Sequence, residues 1–409
     1  MTAMLSFEDA RAKVVEVTGG LRRILAHEKI KLENSLGRIL AQRIAADRDY
    51  PPFDRAMRDG FAVRAADCRQ SGVKLRVIGE IRAGGEFAEI VGAGECVQIM
   101  TGAGAPRGVD SVVMIEHTLA GAHENEVTIE RVVEPGMNIA LRGSESHAGD
   151  ILLREKMRIG YAEIAIAGQV GHAEVNVYRK PRVAILSTGD EVVAVDAQPG
   201  PFEIRNSNGV SLEAQVEVAG AEAVLLGNAP DRADELRKMI ERGLEEDALV
   251  LSGGVSMGKY DLVEEVLSGL GAEFLFDAVA IRPGRPAVFG ICRGKPVLGL
   301  PGNPVSTMVT FELFAVPAID ILGGSEARPL PLVRAKLAKS VEQKAGLTHF
   351  LPAVLDWANG EATVSELPWK GSGDIATLAR GNCFLVVHQS KLKLAAGESV
   401  DVLPRRGLL

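Results

Sequence analysis

The chain has 409 residues, of which 46% are hydrophobic, and this length and composition predict two to four domains with apolar cores. Its formal net charge is −8 without any basic run, which argues against a nucleic-acid partner held through its phosphates. The four cysteines lie far apart and form no C-x-x-C motif, so neither a zinc site nor a disulfide framework is expected. No membrane-length apolar run and no signal-like N-terminus occur, and we expect a soluble, cytoplasmic protein without a membrane partner.

Two helices are predicted near the N-terminus. The first covers residues 6–26, because Ser6 can cap it and its apolar residues fall near one face. The second covers residues 30–46, where an apolar stripe is formed by Leu36, Ile39, Leu40 and Ile44. Both helices are interpreted as parts of a scaffold domain made of residues 1–50 and 137–178.

Residues 51–136 are predicted to form a β-rich domain inserted into this scaffold, because short β-rich runs alternate with turns before the chain returns. Asp59 stands at a turn after the stiff Pro51-Pro52 entry, and Thr101 directly follows a strand. Both are candidates for ligand contact, although a polar linker turn and an ordinary strand–loop transition explain them equally well.

Strands and helices alternate over residues 179–326, which predicts a central, doubly wound α/β domain with a mostly parallel sheet. In such sheets ligands bind at the carboxyl ends of the strands. Loops 187–191, 252–261 and 301–306 all follow strands and are rich in small or hydroxyl residues. We therefore expect them to meet at one edge of the sheet and to hold a phosphate-bearing ligand.

Within loop 252–261, glycines let a ligand approach the main chain, and Ser256 adds a hydroxyl. Asp261 would repel a bare phosphate, which indicates a cation between the acid and the anion. One glycine loop is a weak signal, because tight turns also need glycine. The two other loops and the basic pair Arg282 and Arg285 strengthen it, while Walker and dinucleotide fingerprints are missing from the sequence.

Short strands punctuated by glycine predict a C-terminal β-barrel domain over residues 327–409. Its loop 371–374 contains Ser372 and is a candidate contact to the same ligand. An ordinary β-turn is the simpler explanation of this loop.

In combination these motifs resemble the molybdopterin molybdenumtransferase family, which includes the bacterial MoeA proteins and the E domain of gephyrin. The resemblance spans nearly the whole chain, and it is specific because many motifs occur in the same order. The matching segments are Pro51-Pro52-Phe53-Asp54, Asp59-Gly60-Phe61-Ala62-Val63, Thr101-Gly102-Ala103 with Pro106, Ser187-Thr188-Gly189-Asp190-Glu191, Asn206-Ser207-Asn208, Ser252-Gly253-Gly254-Val255-Ser256-Met257-Gly258 with Asp261, Arg282-Pro283-Gly284-Arg285-Pro286 and Gly299-Leu300-Pro301-Gly302-Asn303-Pro304-Val305-Ser306.

The resemblance implies an elongated homodimer of four-domain subunits and a step of molybdenum cofactor biosynthesis. In that step adenylylated molybdopterin and molybdate give molybdenum cofactor and AMP, with Mg²⁺ as the divalent ion. The active site would lie between the α/β domain of one subunit and the β-rich insertion of the other. Molybdopterin adenylyltransferase and molybdoenzyme chaperones are the further partners that the resemblance suggests.

The resemblance also implies roles for individual residues. Asp59 and Thr101 of the facing subunit would act with Glu191, Asp231 and Asp261 of the α/β domain in catalysis. Asp261 and Glu191 would hold the metal, while a base or water-positioning role for Glu191 stays open. The residues expected to bind the pterin nucleotide or molybdate are Thr188, Gly189, Asp190, Asn208, Gly253, Gly254, Ser256, Gly258, Arg282, Arg285, Pro301, Gly302, Asn303, Ser306 and Ser372.

The sequence departs from the family in the basic pair, where arginines replace the usual lysines and a planar fork replaces a compact ammonium. Pro352 also stands near Phe350, where the family often carries an arginine. Two other functions compete with the enzyme: a carrier or scaffold that binds the pterin nucleotide without turnover, and a molybdopterin adenylyltransferase. The retained acids favour the enzyme over the carrier, and the four-domain layout argues against the adenylyltransferase.

Overall fold

A computed structural model describes residues 4–21, 25–254, 262–344, 346–358 and 360–407 of the chain. Its central sheet has six strands: the first four in spatial order pair in parallel, and the fifth is antiparallel to both of its neighbours. In spatial order the strands are Glu222–Ala229, Arg182–Thr188, Ala248–Ser252, Lys295–Leu300, Val288–Cys292 and Glu273–Phe276. The prediction of a doubly wound, mostly parallel α/β domain is confirmed.

The two faces of this sheet bury alternate residues of the same strands. In the Ala248–Ser252 strand, Val250 faces one apolar core and Leu249 and Leu251 face the other, as the period of two in a strand requires. The first core is covered by helices Phe7–Gly20, Ser207–Ala219, Pro304–Thr310 and Val316–Leu322, and the second by helices Ala233–Gly243 and Leu262–Gly269. With both faces covered, a ligand can reach this sheet only at its ends.

The run Pro304–Leu322 is the one helical stretch of the described residues that is apolar and long enough to span a membrane, with mean hydropathy 1.6. It is 89% buried inside the protein, and the π-helical turn Phe311–Ala315 divides it. The helix begins at Pro304, in its first turn, where proline is well tolerated. Its burial is typical of a core helix.

The first predicted helix exists, but it covers Phe7–Gly20 and packs into the α/β core. The Ser6 side chain accepts a hydrogen bond from the Asp9 amide at 3.1 Å, as the predicted cap requires. The Phe7 ring meets the Phe350 ring edge-on, with centroids 5.5 Å apart. This helix therefore connects the α/β domain to the C-terminal domain, whereas the sequence interpretation assigned it to the scaffold.

The predicted helix over residues 30–46 is wrong. The chain forms the strand His27–Lys31, the 3₁₀ turn Leu32–Asn34 and the short strand Ile44–Ala45. Gly37 has a φ of +77° and breaks any helix, and Leu36 is 65% exposed, so the apolar stripe does not exist as a helical face. The remaining scaffold elements are the helix Tyr161–Gln169 and the strands Ile151–Leu153 and Glu174–Tyr178, of which the last pairs with His27–Lys31.

The β-rich part forms a six-stranded sheet that is antiparallel except for one pair. In spatial order its strands are Ser111–Met114, Gly60–Val63, Glu95–Ile99, Val73–Ile81, Glu126–Ile129 and Thr118–Ala120, with 3₁₀ turns Ala65–Asp67 and Ile115–His117. The short strands Arg55–Ala56 and Ile139–Ala140 pair where the chain enters and leaves it. This pairing supports the inserted domain, and its limits at 51 and 136 stay a prediction.

The C-terminal part is a closed five-stranded barrel, as predicted. Its strands are Val333–Leu337, Thr348–Ala358, Glu361–Glu366, Cys383–Val387 and Ser399–Pro404. The ring closes because Thr348–Ala358 pairs with both Glu361–Glu366 and Cys383–Val387. Smaller elements of this part are the helix Ile375–Arg380 and the paired strands Val341–Glu342 and Lys393–Leu394. The α/β domain contains a further short pair, Val192–Val193 with Ile204–Arg205. Strand Ile281–Arg282 pairs with the barrel strand at Thr348 and His349, so the α/β domain and the barrel meet beside the site described next.

Candidate active site

A cleft of about 720 Å³ opens at the carboxyl ends of the parallel strands. Three strands end there: Arg182–Thr188, Ala248–Ser252 and Lys295–Leu300. The cleft is lined by ten of the residues expected at the site, namely Thr188, Gly189, Glu191, Asn208, Asp231, Gly253, Gly254, Pro301, Gly302 and Asn303. The structure thus brings together the predicted loops that lie far apart in the sequence.

The Gly253-Gly254 turn lies very close to Thr188. Gly253 and Gly254 have φ values of +92° and +64°, which strongly favour glycine. A Cβ added at Gly254 would lie 2.7 Å from the Thr188 Oγ1 atom, and one at Gly253 would lie 2.9 Å from the Thr188 carbonyl oxygen. The turn can therefore keep its close approach only without side chains.

Two buried polar atoms in the cleft have no hydrogen-bond partner among the described residues. The Thr188 side chain is 5% exposed, and its Oγ1 atom is unpaired. Asn208 donates from Nδ2 to Ser252 Oγ and to the Gly302 carbonyl, both at 2.8 Å, while its Oδ1 atom is unpaired. Buried polar atoms in native proteins are normally paired, so both atoms point to a polar ligand.

Carboxylates stand on one side of the cleft. Glu191 and Asp231 line it, and both side chains are exposed. The Asp231 amide donates to Asp190 Oδ1 at 3.1 Å, which joins the loops after two neighbouring strands. Among the described residues no group of three histidine, cysteine or acidic side chains is close enough to hold a metal ion.

Asn228 fixes the loop that carries Glu191. Its Nδ2 atom donates to the Gly189 carbonyl at 2.8 Å and to the Val192 carbonyl at 3.0 Å. Glu191 therefore projects from a loop that is held at both ends.

A second cavity of about 370 Å³ adjoins the cleft and contains the basic pair. Arg282, Arg285, Ser306 and Ser372 line it, and Pro286, Pro301 and Asn303 line both cavities. Arg282 and Arg285 are exposed, and neither forms an ion pair with a described residue. The Val305 amide donates to the Ser372 carbonyl at 3.0 Å, which holds the barrel loop against the α/β domain. This cavity is suited to an oxyanion.

Asp59 and Thr101 lie together in the inserted domain and do not line the cleft of their own chain. The Thr101 amide and hydroxyl both donate to Asp59 Oδ1, at 2.6 and 2.7 Å. These two bonds, the hydroxyl bond first, lower the pKa of Asp59. Both side chains are exposed and free to face another subunit.

Three predicted site residues, Ser256, Gly258 and Asp261, lie outside the described residues. Sequence reasoning left other cleft residues unassigned: Ser187, Val192, Ile204, Arg205, Asn206, Ser207, Ser252, Pro286, Pro304, Gly373 and Ile375. Ser187 and Ser252 are buried at strand ends, and Ser187 Oγ donates to Asn206 Oδ1 at 3.0 Å. Each is the first polar residue after the apolar run of a buried strand, and this position is the signal that would have found them.

Known family descriptions match consecutive parts of this chain. The MoeA N-terminal region (domain I and II) matches residues 5–171, a probable molybdopterin binding domain matches residues 184–320, and the MoeA C-terminal region (domain IV) matches residues 334–404. The order of the domains is accordingly that of a MoeA-type protein.

Similar proteins extend over nearly the full length. A molybdopterin molybdenumtransferase of Staphylococcus aureus is 34% identical over 380 residues, which are 91% of this chain and 90% of that one. One from Staphylococcus epidermidis is 32% identical over 400 residues, 95% of each chain. Two crystal structures of a molybdopterin biosynthesis MoeA protein from Pyrococcus horikoshii match with TM-scores of 0.74 and 0.79. They are 32% and 28% identical, covering 98% of this chain and 99% and 100% of theirs. The chain therefore belongs to the molybdopterin molybdenumtransferase family, a family of transferases.

Proposed function

We propose that this chain inserts molybdenum during molybdenum cofactor biosynthesis, converting adenylylated molybdopterin and molybdate to molybdenum cofactor with release of AMP. The observation that carries this proposal is the pair of adjoining cavities. One has unpaired polar atoms, a glycine turn and two acids, and the other has two arginines without an ion-pair partner among the described residues. A nucleotide and an oxyanion can thus be held side by side.

The larger cleft is assigned to the pterin nucleotide. The glycine turn admits phosphate oxygens close to the main chain, Thr188 Oγ1 offers a hydroxyl, and Asn208 Oδ1 accepts a bond from the ligand. The small cavity is assigned to molybdate, which Arg282 and Arg285 bind by charge-assisted hydrogen bonds. Asn303 borders both cavities, so molybdate would lie beside the bound pterin nucleotide.

Mg²⁺ fits the carboxylates of the cleft. Mg²⁺ takes oxygen ligands, usually one or two carboxylates together with waters and substrate phosphates, so the set of two acids suits it. Glu191 and Asp231 would hold the ion from the described part of the chain, and Asp261 stays a predicted ligand. When bound, Mg²⁺ neutralises negative charge on the phosphoanhydride as it opens.

We also propose that the working form is a homodimer whose clefts are completed by the partner's inserted domain. Asp59 and Thr101 support this, because they form an ordered, exposed acid–hydroxyl pair that lies outside the cleft of their own subunit. A cytoplasmic location, with hand-over from molybdopterin adenylyltransferase and to molybdoenzyme chaperones, belongs to the same proposal.

The test is to incubate the pure protein with adenylylated molybdopterin, molybdate and Mg²⁺ and to follow AMP. Turnover that stops when either molybdate or Mg²⁺ is omitted is the expected result. Tight binding of the pterin nucleotide without AMP would instead identify a carrier. Replacing both Arg282 and Arg285 by Gln is expected to raise the molybdate concentration needed for half-maximal AMP release, with little effect on nucleotide binding.

A further inference from the structure

We propose that Arg205 is a phosphate-binding residue of the cleft. Arg205 is the one cationic side chain among the described residues that line the cleft, which also contains the exposed acids Glu191 and Asp231. A ligand that carries a pyrophosphate brings negative charge into a space already containing two carboxylates. A fixed guanidinium in the same space compensates part of this charge.

The surrounding backbone holds Arg205 in place. It lies on the short strand Ile204–Arg205, which pairs in parallel with Val192–Val193. The flanking amides of Ile204 and Asn206 donate to the Glu191 and Val193 carbonyls, at 2.8 and 2.9 Å. The acid loop and the Arg205 strand are therefore fastened to each other.

One hydrogen bond orients the guanidinium and leaves its other donors available. Its Nε atom donates to the Ala197 carbonyl at 3.0 Å, and it forms no ion pair with a described residue. The two terminal NH₂ groups stay available to a bidentate anion, which the planar fork of arginine suits better than an ammonium.

Two further features of the cleft lining point to an anionic, polar ligand. Asn206, next in the chain, caps the 13-residue helix Ser207–Ala219, so the positive end of the helix dipole opens on the cleft beside Arg205. Independently of that helix, the Thr188 hydroxyl is buried, lines the cleft and has no hydrogen-bond partner among the described residues. The cleft lining therefore offers a phosphate group both a guanidinium and a hydroxyl donor.

This inference rests on the proposed function, because the pyrophosphate is that of the adenylylated substrate. Arg205 then binds the nucleotide phosphate in substrate and in product. Its loss raises KM and the Kd for AMP more than it lowers kcat, since the contact exists before and after the reaction.

The experiment compares the wild-type chain with Arg205→Gln, Arg205→Lys and the control Arg43→Gln. Arg43 is an exposed scaffold arginine, so its replacement matches the loss of charge without touching the cleft. Calorimetry with AMP as the probe gives Kd at several salt concentrations, and AMP release gives kcat and KM. For R205Q we expect Kd and KM to rise about tenfold or more, with a weaker salt dependence of Kd. R205K is expected to fall between R205Q and the wild type, and R43Q to match the wild type.

The outcomes separate the two proposals. If the wild-type chain binds AMP but forms none from adenylylated molybdopterin, the proposed function is wrong. Weaker AMP binding by R205Q would in that case still support Arg205 as a phosphate ligand. R205Q with the wild-type Kd for AMP overturns the inference. The inference is also overturned if R205Q and R205K weaken AMP binding equally and both have a lower melting temperature than R43Q. Arg205 would then only hold the loop in place through its bond to the Ala197 carbonyl.

Discussion

Asp59 is an exposed carboxylate whose acidity depends on one neighbour, Thr101. The variant Thr101→Val removes the hydroxyl bond and keeps the amide bond. Because both bonds favour the charged form, we expect the pKa of Asp59 to rise toward its ordinary value in this variant. Asp59 would then become protonated at a higher pH, so the acidic limb of the activity profile moves to higher pH.

The direct measurement of this effect is an NMR titration of the Asp59 carboxyl carbon. Thr118→Val is a suitable control, because the Thr118 hydroxyl bonds the Ile115 carbonyl in the same domain and does not touch Asp59. An Asp59 titration that coincides in T101V and the wild type would show that the hydroxyl does not set its acidity.

Gly254 offers a second test at the residue scale. In Gly254→Ala the new methyl would lie 2.7 Å from Thr188 Oγ1 and 2.7 Å from Val263 Cγ2, at a φ of +64°. We expect this strain to lower the free energy of unfolding by about 1–3 kcal/mol and to abolish most AMP release. Gly302→Ala is the matched control, because its methyl would have only an ordinary 3.5 Å contact with Gly253. Urea unfolding that ranks the two variants equally would refute the close-approach argument.

Among the elements, the helix Val316–Leu322 ties the scaffold to the α/β domain through one acid. Asp320 is 2% exposed and accepts bonds from Arg158 NH2 at 3.1 Å and from the Arg328 amide and Nε atom at 2.9 and 2.8 Å. Arg158 belongs to the scaffold, and burial lowers its pKa despite the opposite charge of Asp320. Removing the acid leaves two part-buried guanidiniums without this partner.

Asp320→Ala is therefore expected to lower the free energy of unfolding, measured at the first transition in urea, by about 3–5 kcal/mol. Glu361→Ala is the comparison, since its pair with Lys336 is exposed, with side chains 59% and 54% accessible, and contributes less than about 1 kcal/mol. If both variants lower the free energy of unfolding by similar amounts, the buried Asp320 ion pairs stabilise the protein no more than an exposed pair does.

The strands, loops and helices also show which features could be predicted from the sequence. Loops 187–191 and 301–306 were expected to meet because parallel strands place their carboxyl ends at one edge, and Thr188 and Asn303 do line one cleft. The helix over residues 30–46 was mispredicted because apolar spacing alone cannot show that Ile30 pairs with Val175 of a strand far along the chain. Arg205 and Asn228 were left unassigned for a related reason: their roles depend on loop contacts that leave no periodic pattern.

At the scale of the whole molecule, the separation of Asp59 from its own cleft has a consequence for stoichiometry. If the partner's inserted domain completes each site, as we propose, a dimer contains two sites and each draws residues from both subunits. A two-fold axis repeats every contact between the two subunits, so a residue that enters the partner's cleft on one side does the same on the other side.

This arrangement predicts complementation between two inactive variants, Asp59→Asn and Asp231→Asn. In a mixed dimer one cleft combines an intact Asp231 with the partner's intact Asp59, and the other cleft lacks both. After random exchange half of the dimers are mixed, so about one quarter of the wild-type AMP release should return. The matched control mixes wild type with the double variant D59N/D231N, whose mixed dimers have no intact cleft if sites are shared and one if each subunit works alone. Shared sites leave this control with about one quarter of the full activity, which its wild-type dimers supply, whereas independent sites leave about one half. A control at about one half together with no AMP release in the test mixture, with mixed dimers verified by differently tagged chains, would place Asp59 in its own subunit's site.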